Sequence, residues 1–135
     1  MQELETGKAE ILTEGSDVAL LTLGHTALDG ATATARAKEQ GLSVCHIDLR
    51  WAKPLDEEML HYVGRNFKRV VTVEDGVLNG GIGSALAEWM NDNGYNSVKL
   101  TRLGIDDTFV EHGTLPQLKA LAGYDADAIL KALVG

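Results

Sequence analysis

The stretch TVEDGVLNGGIGSALAEWM, Thr72 to Met90, places two carboxylates and a run of glycines between an apolar segment and a helix-like one. Strand, glycine loop and helix form the usual phosphate cradle, because backbone N–H groups at a helix N-terminus converge on an anion. A dinucleotide fingerprint needs G-x-G-x-x-G with an acid about 20 residues further on. Gly81 and Gly83 supply the first pair, but Leu86 takes the third place. Glu74 and Asp75, just upstream, would repel a pyrophosphate at close range. A second possibility is LGHTALDG, with Asp48 as the ribose acid. It offers only Gly24 and Gly30, and Thr26 and Asp29 stand where glycine is required. A P-loop fails because Ile82 replaces the lysine that should follow Gly76 and Gly81. A nucleophile elbow around Ser84 fails because its flanks are Ile82 and Leu86.

The histidines are His25, His46, His61 and His112, and none pairs with another at metal-ligand spacing. His46 lies in a strand-like run and His61 on a polar helix face, so both read as structural or solvated. His25 and His112 fall near the carboxyl ends of strands and are the two weak candidates for proton transfer. The single cysteine, Cys45, excludes a disulfide within the chain and a cysteine-based zinc site. It reads as a small buried hydrophobe in a reducing compartment. No catalytic set, cofactor-binding residue or metal ligand emerges.

The elements that would position these groups alternate between strand and helix. AEIL (9–12), DVALLTL (17–23), SVCHID (43–48), RVVTVE (69–74) and SVKLTRL (97–103) read as strands. The continuous apolar run at 17–23 suits a strand covered on both faces, and the alternation at 97–103 suits one nearer an edge. Ala27, Ala31, Thr34, Ala35 and Lys38 follow helical spacing from 26 to 40, with Gly41 at C′. Pro54 can open a second helix, whose N-terminus Asp56 favours and whose apolar face is Met59, Leu60, Val63 and Phe67. Ile82, Leu86, Trp89 and Met90 mark a third, ending near Gly94. Two short helices, 114–122 and 125–134, finish the chain, the first with Thr114 and Gln117 as a capping box.

This order implies a three-layer α/β domain whose parallel strands gather their carboxyl ends along one edge. That edge would hold Gly24 and His25, Asp48 and Arg50, Glu74 and Asp75, and Gly104 with Asp106 and Asp107. The carboxylates pair there with Arg50, Lys53 or helix N-termini, or form a docking surface for a basic partner. Trp51, following DLR, is either a candidate interface anchor or a side chain packed under its own loop.

At 135 residues the chain is one domain, able to bury an ordinary core. Its net charge of −8 argues against nucleic acid and anionic membranes, which need clustered Lys and Arg. The N-terminus shows no signal-peptide pattern, and no apolar run approaches the length that spans a bilayer. A cytoplasmic location is expected.

Three segments then occur in order at ordinary intervals: DLRWAKPLDEEML, VVTVEDGVLNGGIGSALAEWM and LGIDDTFVEHGT, preceded by GKAEILTEGSDVALLTLG. Over nearly the whole chain they resemble the C-terminal domain of the 1-deoxy-D-xylulose-5-phosphate synthases, thiamine-diphosphate enzymes of the transketolase family. KPLD and TVED are shared with 2-oxo-acid dehydrogenase E1 β subunits, whereas LGIDDTFVEHGT after GGIGSA favours the synthases. Asp106 stands where that family commonly has proline. The alternatives are the C-terminal domain of a transketolase or an E1 β subunit, or a free-standing ligand-binding α/β module.

The resemblance implies an α/β/α unit with a five-stranded, mostly parallel sheet and one antiparallel strand. It occupies 1–135, with 1–16 as the lead-in. It implies an enzyme that condenses pyruvate with glyceraldehyde 3-phosphate and releases CO2, feeding isoprenoid, thiamine and pyridoxal synthesis. Thiamine diphosphate and Mg2+ would be bound outside this domain, by the N-terminal and pyrimidine-binding domains, in a homodimer. This domain would support packing and be inactive alone. Its interface candidates are Arg50, Trp51, Glu74, Asp75, Gly80, Gly81 and Gly83. The three glycines would let the chain turn sharply out of a buried strand and pack closely, with Glu74, Asp75 or an acid of a neighbouring domain accepting from the N–H groups of the helix that follows.

Overall fold

The computed structural model describes residues 8–23, 26–50, 56–74, 82–104 and 126–135. Their elements are β1 (Glu10–Thr13), β2 (Val18–Thr22), α1 (Thr26–Glu39), β3 (Val44–Asp48), α2 (Glu57–Asn66), β4 (Arg69–Glu74), α3 (Ile82–Asp92), β5 (Lys99–Gly104) and α4 (Ala126–Val134). The strands form one five-stranded sheet in the order β1-β3-β2-β4-β5. All neighbours are parallel except β1, which runs antiparallel to β3.

Every residue of β2 is buried, which explains its uninterrupted apolar sequence: a central parallel strand needs cover on both faces. On one face Ala19, Leu21, Cys45, Ile47 and Val70 meet Leu60 and Val63 of α2 and Leu86 and Met90 of α3. On the other, Val18, Leu20, Val44, Val71 and Val73 meet Ala33 and Ala37 of α1 and Ile129 and Leu133 of α4. The result is the three-layer arrangement expected. The alternating segment became β5, an edge strand.

Helix ends follow local chemistry. Gly41 and Gly94 take positive φ after α1 and α3, a conformation in which glycine has no Cβ penalty. Each then closes a Schellman pattern, with Leu42 N–H donating to the Ala37 carbonyl and Tyr95 N–H to that of Met90. The helix after Pro54 begins later than that proline: Asp56 is its N-cap and accepts from the Met59 N–H. Arg69 donates to the carbonyls of Ala132 and Leu133 at 3.2 and 2.7 Å, satisfying the C-terminal end of α4.

The helix expected from 26 to 40 is α1, and the face it turns to the core is Thr26, Gly30, Ala33, Thr34 and Ala37. The helix consists largely of small residues with little hydropathy contrast. What selects its inner face is the space available for close approach. The 114–122 helix, with Thr114 and Gln117, lies outside the described residues.

Candidate functional site

The parallel strands end together at Thr22, Asp48, Glu74 and Gly104, with Thr22 beside Asp48 and Glu74 beside Gly104. Because β1 is antiparallel, its first residue, Glu10, pairs with Asp48 at this same edge. The adjacent strands β2 and β4 lead to helices on opposite faces, α1 and α3. That is the switch-point geometry at which α/β sheets place their functional crevice.

Three polar arrangements build the edge. In the first, Arg50 has φ of 62°, a left-handed conformation rare for a residue with a Cβ. Its backbone N–H donates to Asp48 Oδ1 at 2.9 Å, and its guanidinium pairs with Glu10 at 2.8 Å. The Asp48 carboxylate therefore holds the Arg50 main chain, and Glu10 takes the side chain.

In the second, His46 and Thr22 share a buried hydrogen bond of 2.9 Å between Nε2 and Oγ1. Both are fully buried. Burial holds the imidazole pKa below its ordinary value, with the Asp48 charge opposing in part. A Cβ on Gly30 would lie 2.8 Å from Thr22 Cγ2 and 3.0 Å from His46 Nε2. Gly30 is therefore a packing glycine that lets α1 close over this pair, not a phosphate glycine. Nearby, the Thr26 hydroxyl donates to the Leu23 carbonyl at 2.8 Å, joining the end of β2 to the start of α1.

In the third, a Cβ on Gly83 would meet Arg102 Cδ at 2.6 Å, and Arg102 donates to Ser84 Oγ at 2.9 Å. The cation beside the α3 N-terminus thus comes from β5. Gly83 serves close packing against that side chain, and Ser84 is an early-helix residue.

His61 is not simply solvated. Its Nδ1 shares a 2.7 Å hydrogen bond with the Tyr95 hydroxyl, and its ring meets Trp89 edge-on at 4.7 Å. Trp89 donates to Glu57 at 3.2 Å. This cluster ties α2 to α3. Cys45 is buried, and burial pushes its thiol pKa up, which leaves it unreactive.

Arg50, Gly83 and the Glu74 backbone are thus placed on or beside the expected edge. His25, His112, Trp51, Asp75, Gly80, Gly81, Asp106 and Asp107 lie outside the described residues. Sequence reasoning missed Glu10 and Arg102. Each acts through a partner distant in sequence, so neither leaves a local signal.

Residues 7–129 match the family described as Transketolase, C-terminal domain. The chain belongs to the transketolase C-terminal domain family. Within it, the chain is 49% identical over 99% of its length to a 1-deoxy-D-xylulose-5-phosphate synthase of Phocaeicola vulgatus, of which it spans 21%. It is 45% identical over 98% of its length to that of Bacteroides fragilis, spanning 20%. It therefore spans about a fifth of the length of these curated relatives. A solved structure described as "Split gene transketolase, inactive beta4 tetramer" superposes with a TM-score of 0.85 at 28% identity, over 98% of this chain and 43% of that one. The transketolase C-terminal fold accounts for the mixed five-stranded sheet and its antiparallel edge strand.

Two outcomes follow for the His46–Thr22 pair. A histidine with a depressed native pKa binds its proton less readily folded than unfolded, so stability rises with pH wherever the unfolded chain alone is protonated. Its contribution is fully present above the unfolded value of about 6.5 and is lost as pH falls from there through the native one. Urea unfolding from pH 7.5 to 5.5 is expected to show this decline, and His46→Gln to flatten it. Gly30→Ala is expected to lower stability by about 1–3 kcal/mol of overpacking, against about 1 kcal/mol of gained helix propensity. Adding Thr22→Ser, which removes the Cγ2 methyl and keeps the hydroxyl, is expected to recover part of that loss in the same assay.

Proposed function

We propose that this chain is the C-terminal domain of a 1-deoxy-D-xylulose-5-phosphate synthase, which condenses pyruvate with glyceraldehyde 3-phosphate and releases CO2. The observation that carries the reading is the end-to-end match, 49% identical over 99% of this chain, to one fifth of such a synthase. The domain's part is structural: it presents the strand-end edge to the N-terminal and pyrimidine-binding domains and supports the homodimer, in the cytoplasm. It is one unit in which the lead-in, residues 1–16, adds the antiparallel edge strand. Arg50, Glu74 and Gly83, with Trp51, Asp75, Gly80 and Gly81, are the positions assigned to that docking.

Thiamine diphosphate and Mg2+ belong to the other domains in this reading. Among the described residues no group of three His, Cys, Asp or Glu is arranged to hold a metal ion. Beside Gly83, Arg102 already donates to Ser84. These residues do not fit a diphosphate-metal pair, and no chemical step is assigned to them. His25 and His112 remain the two candidates for any contact with reacting atoms.

A segment exchange tests this reading. The chain alone, with thiamine diphosphate and Mg2+, is expected to give no turnover of pyruvate and glyceraldehyde 3-phosphate. Replacing the matching fifth of the Phocaeicola vulgatus synthase with this chain is expected to leave an active dimer. Turnover by the chain alone, or a folded dimeric chimera without activity, would contradict the proposal.

A further inference from the structure

We infer that residues 8–10 form a clip that holds both stems of the 51–55 connection, and that Arg50 is the positioning residue of that clip. The inference rests on the docking reading above, because it names what fixes Arg50, one of the positions assigned to contact with the other domains.

Three consecutive residues reach across to the same corner. Lys8 approaches Glu58 at 3.6 Å. The Ala9 N–H donates to Asp56 Oδ2 at 2.9 Å. Glu10 pairs with Arg50 at 2.8 Å. Arg50 and Asp56 are the residues immediately before and after the 51–55 connection, so adjacent residues of the lead-in hold its two ends.

The ties are unequal. Lys8 and Glu58 are 45% and 89% exposed, and such pairs contribute little. Arg50 is only 20% exposed, against 49% for Glu10, so that pair is better shielded from solvent. Both carboxylate oxygens of Asp56 are engaged, Oδ2 by the Ala9 N–H and Oδ1 by the Met59 N–H that caps α2. The clip therefore resides mainly in residues 9 and 10.

Arg50 needs such a holder. Its left-handed backbone persists only when its surroundings determine it. The Asp48 acceptor fixes its N–H, and Glu10 fixes its guanidinium. The strand supplying Glu10 is four residues long, lies at the sheet edge and has a register irregularity between Ile11 and Thr13. Displacing β1 would thus remove one tie from each stem, leaving Arg50 its bond to Asp48 and Asp56 its bond to Met59.

Amide hydrogen exchange by NMR on the 135-residue chain tests the clip. Glu10→Gln is expected to speed exchange of the Arg50 and Ala9 amides about two- to fivefold, the range of a partly exposed ion pair. The Leu20 and Ile47 amides should keep their rates. Exchanging the charges, Glu10→Arg with Arg50→Glu, should restore slow exchange of the amide at position 50. Uniform acceleration of all amides, an unchanged Arg50 amide, or no restoration by the exchange would overturn the clip. Docking is read separately, from dimer dissociation of the Phocaeicola vulgatus chimera carrying Glu10→Gln. Weaker association supports the docking role. Unchanged association beside a faster Arg50 amide would overturn the docking role and leave the clip standing.

Discussion

The structure depends on one constraint: β2 is buried on both faces. A strand of Val18, Ala19, Leu20, Leu21 and Thr22 with no exposed side must have helices above and below it. The neighbours β3 and β4 are reached through helical crossovers and run parallel to it. Parallel strands deliver their carboxyl ends to a single edge. The convergence of Thr22, Asp48, Glu74 and Gly104 follows from that parallel pairing. The antiparallel β1 then brings Glu10 to the same edge from the opposite direction.

Closing the helices over that strand places polar groups under tension between packing and hydrogen bonding. His46 and Thr22 are buried beside the apolar core, and their mutual bond offsets part of the cost of removing them from water. The absence of a side chain at Gly30 lets α1 approach closely enough to cover them. On the other face, Gly83 lets α3 approach Arg102 in the same way. The glycines that superficially evoke nucleotide binding are, where described, residues of helix–sheet contact.

How much of this could be read from sequence follows from how local each cause is. The strands and the helices of the described regions follow from local pattern: apolar runs, Gly41 and Gly94 at helix ends, acids at the start of α2. The inner face of α1 did not, because alanine, threonine and glycine differ too little in hydropathy to mark a stripe. His61 sits in a polar-looking helix, but Trp89 and Tyr95 arrive from about 30 residues away in sequence to cover it. Glu10 and Arg50 are likewise joined only by strand pairing. At the candidate site, residue identity was legible and partnership was not. The family resemblance supplied a function that no catalytic motif in the chain could.

The strand-end edge, in this reading, is a docking surface within a longer enzyme. Hydrogen–deuterium exchange by mass spectrometry, comparing the chain alone with the same chain inside the Phocaeicola vulgatus chimera, addresses it directly. Added protection is expected in peptides covering 22–26, 48–56 and 102–104, with little change at the opposite ends of the strands around 43–44 and 68–69. Protection gained only at those opposite ends, or none at the carboxyl ends in an assembled chimera, would contradict it.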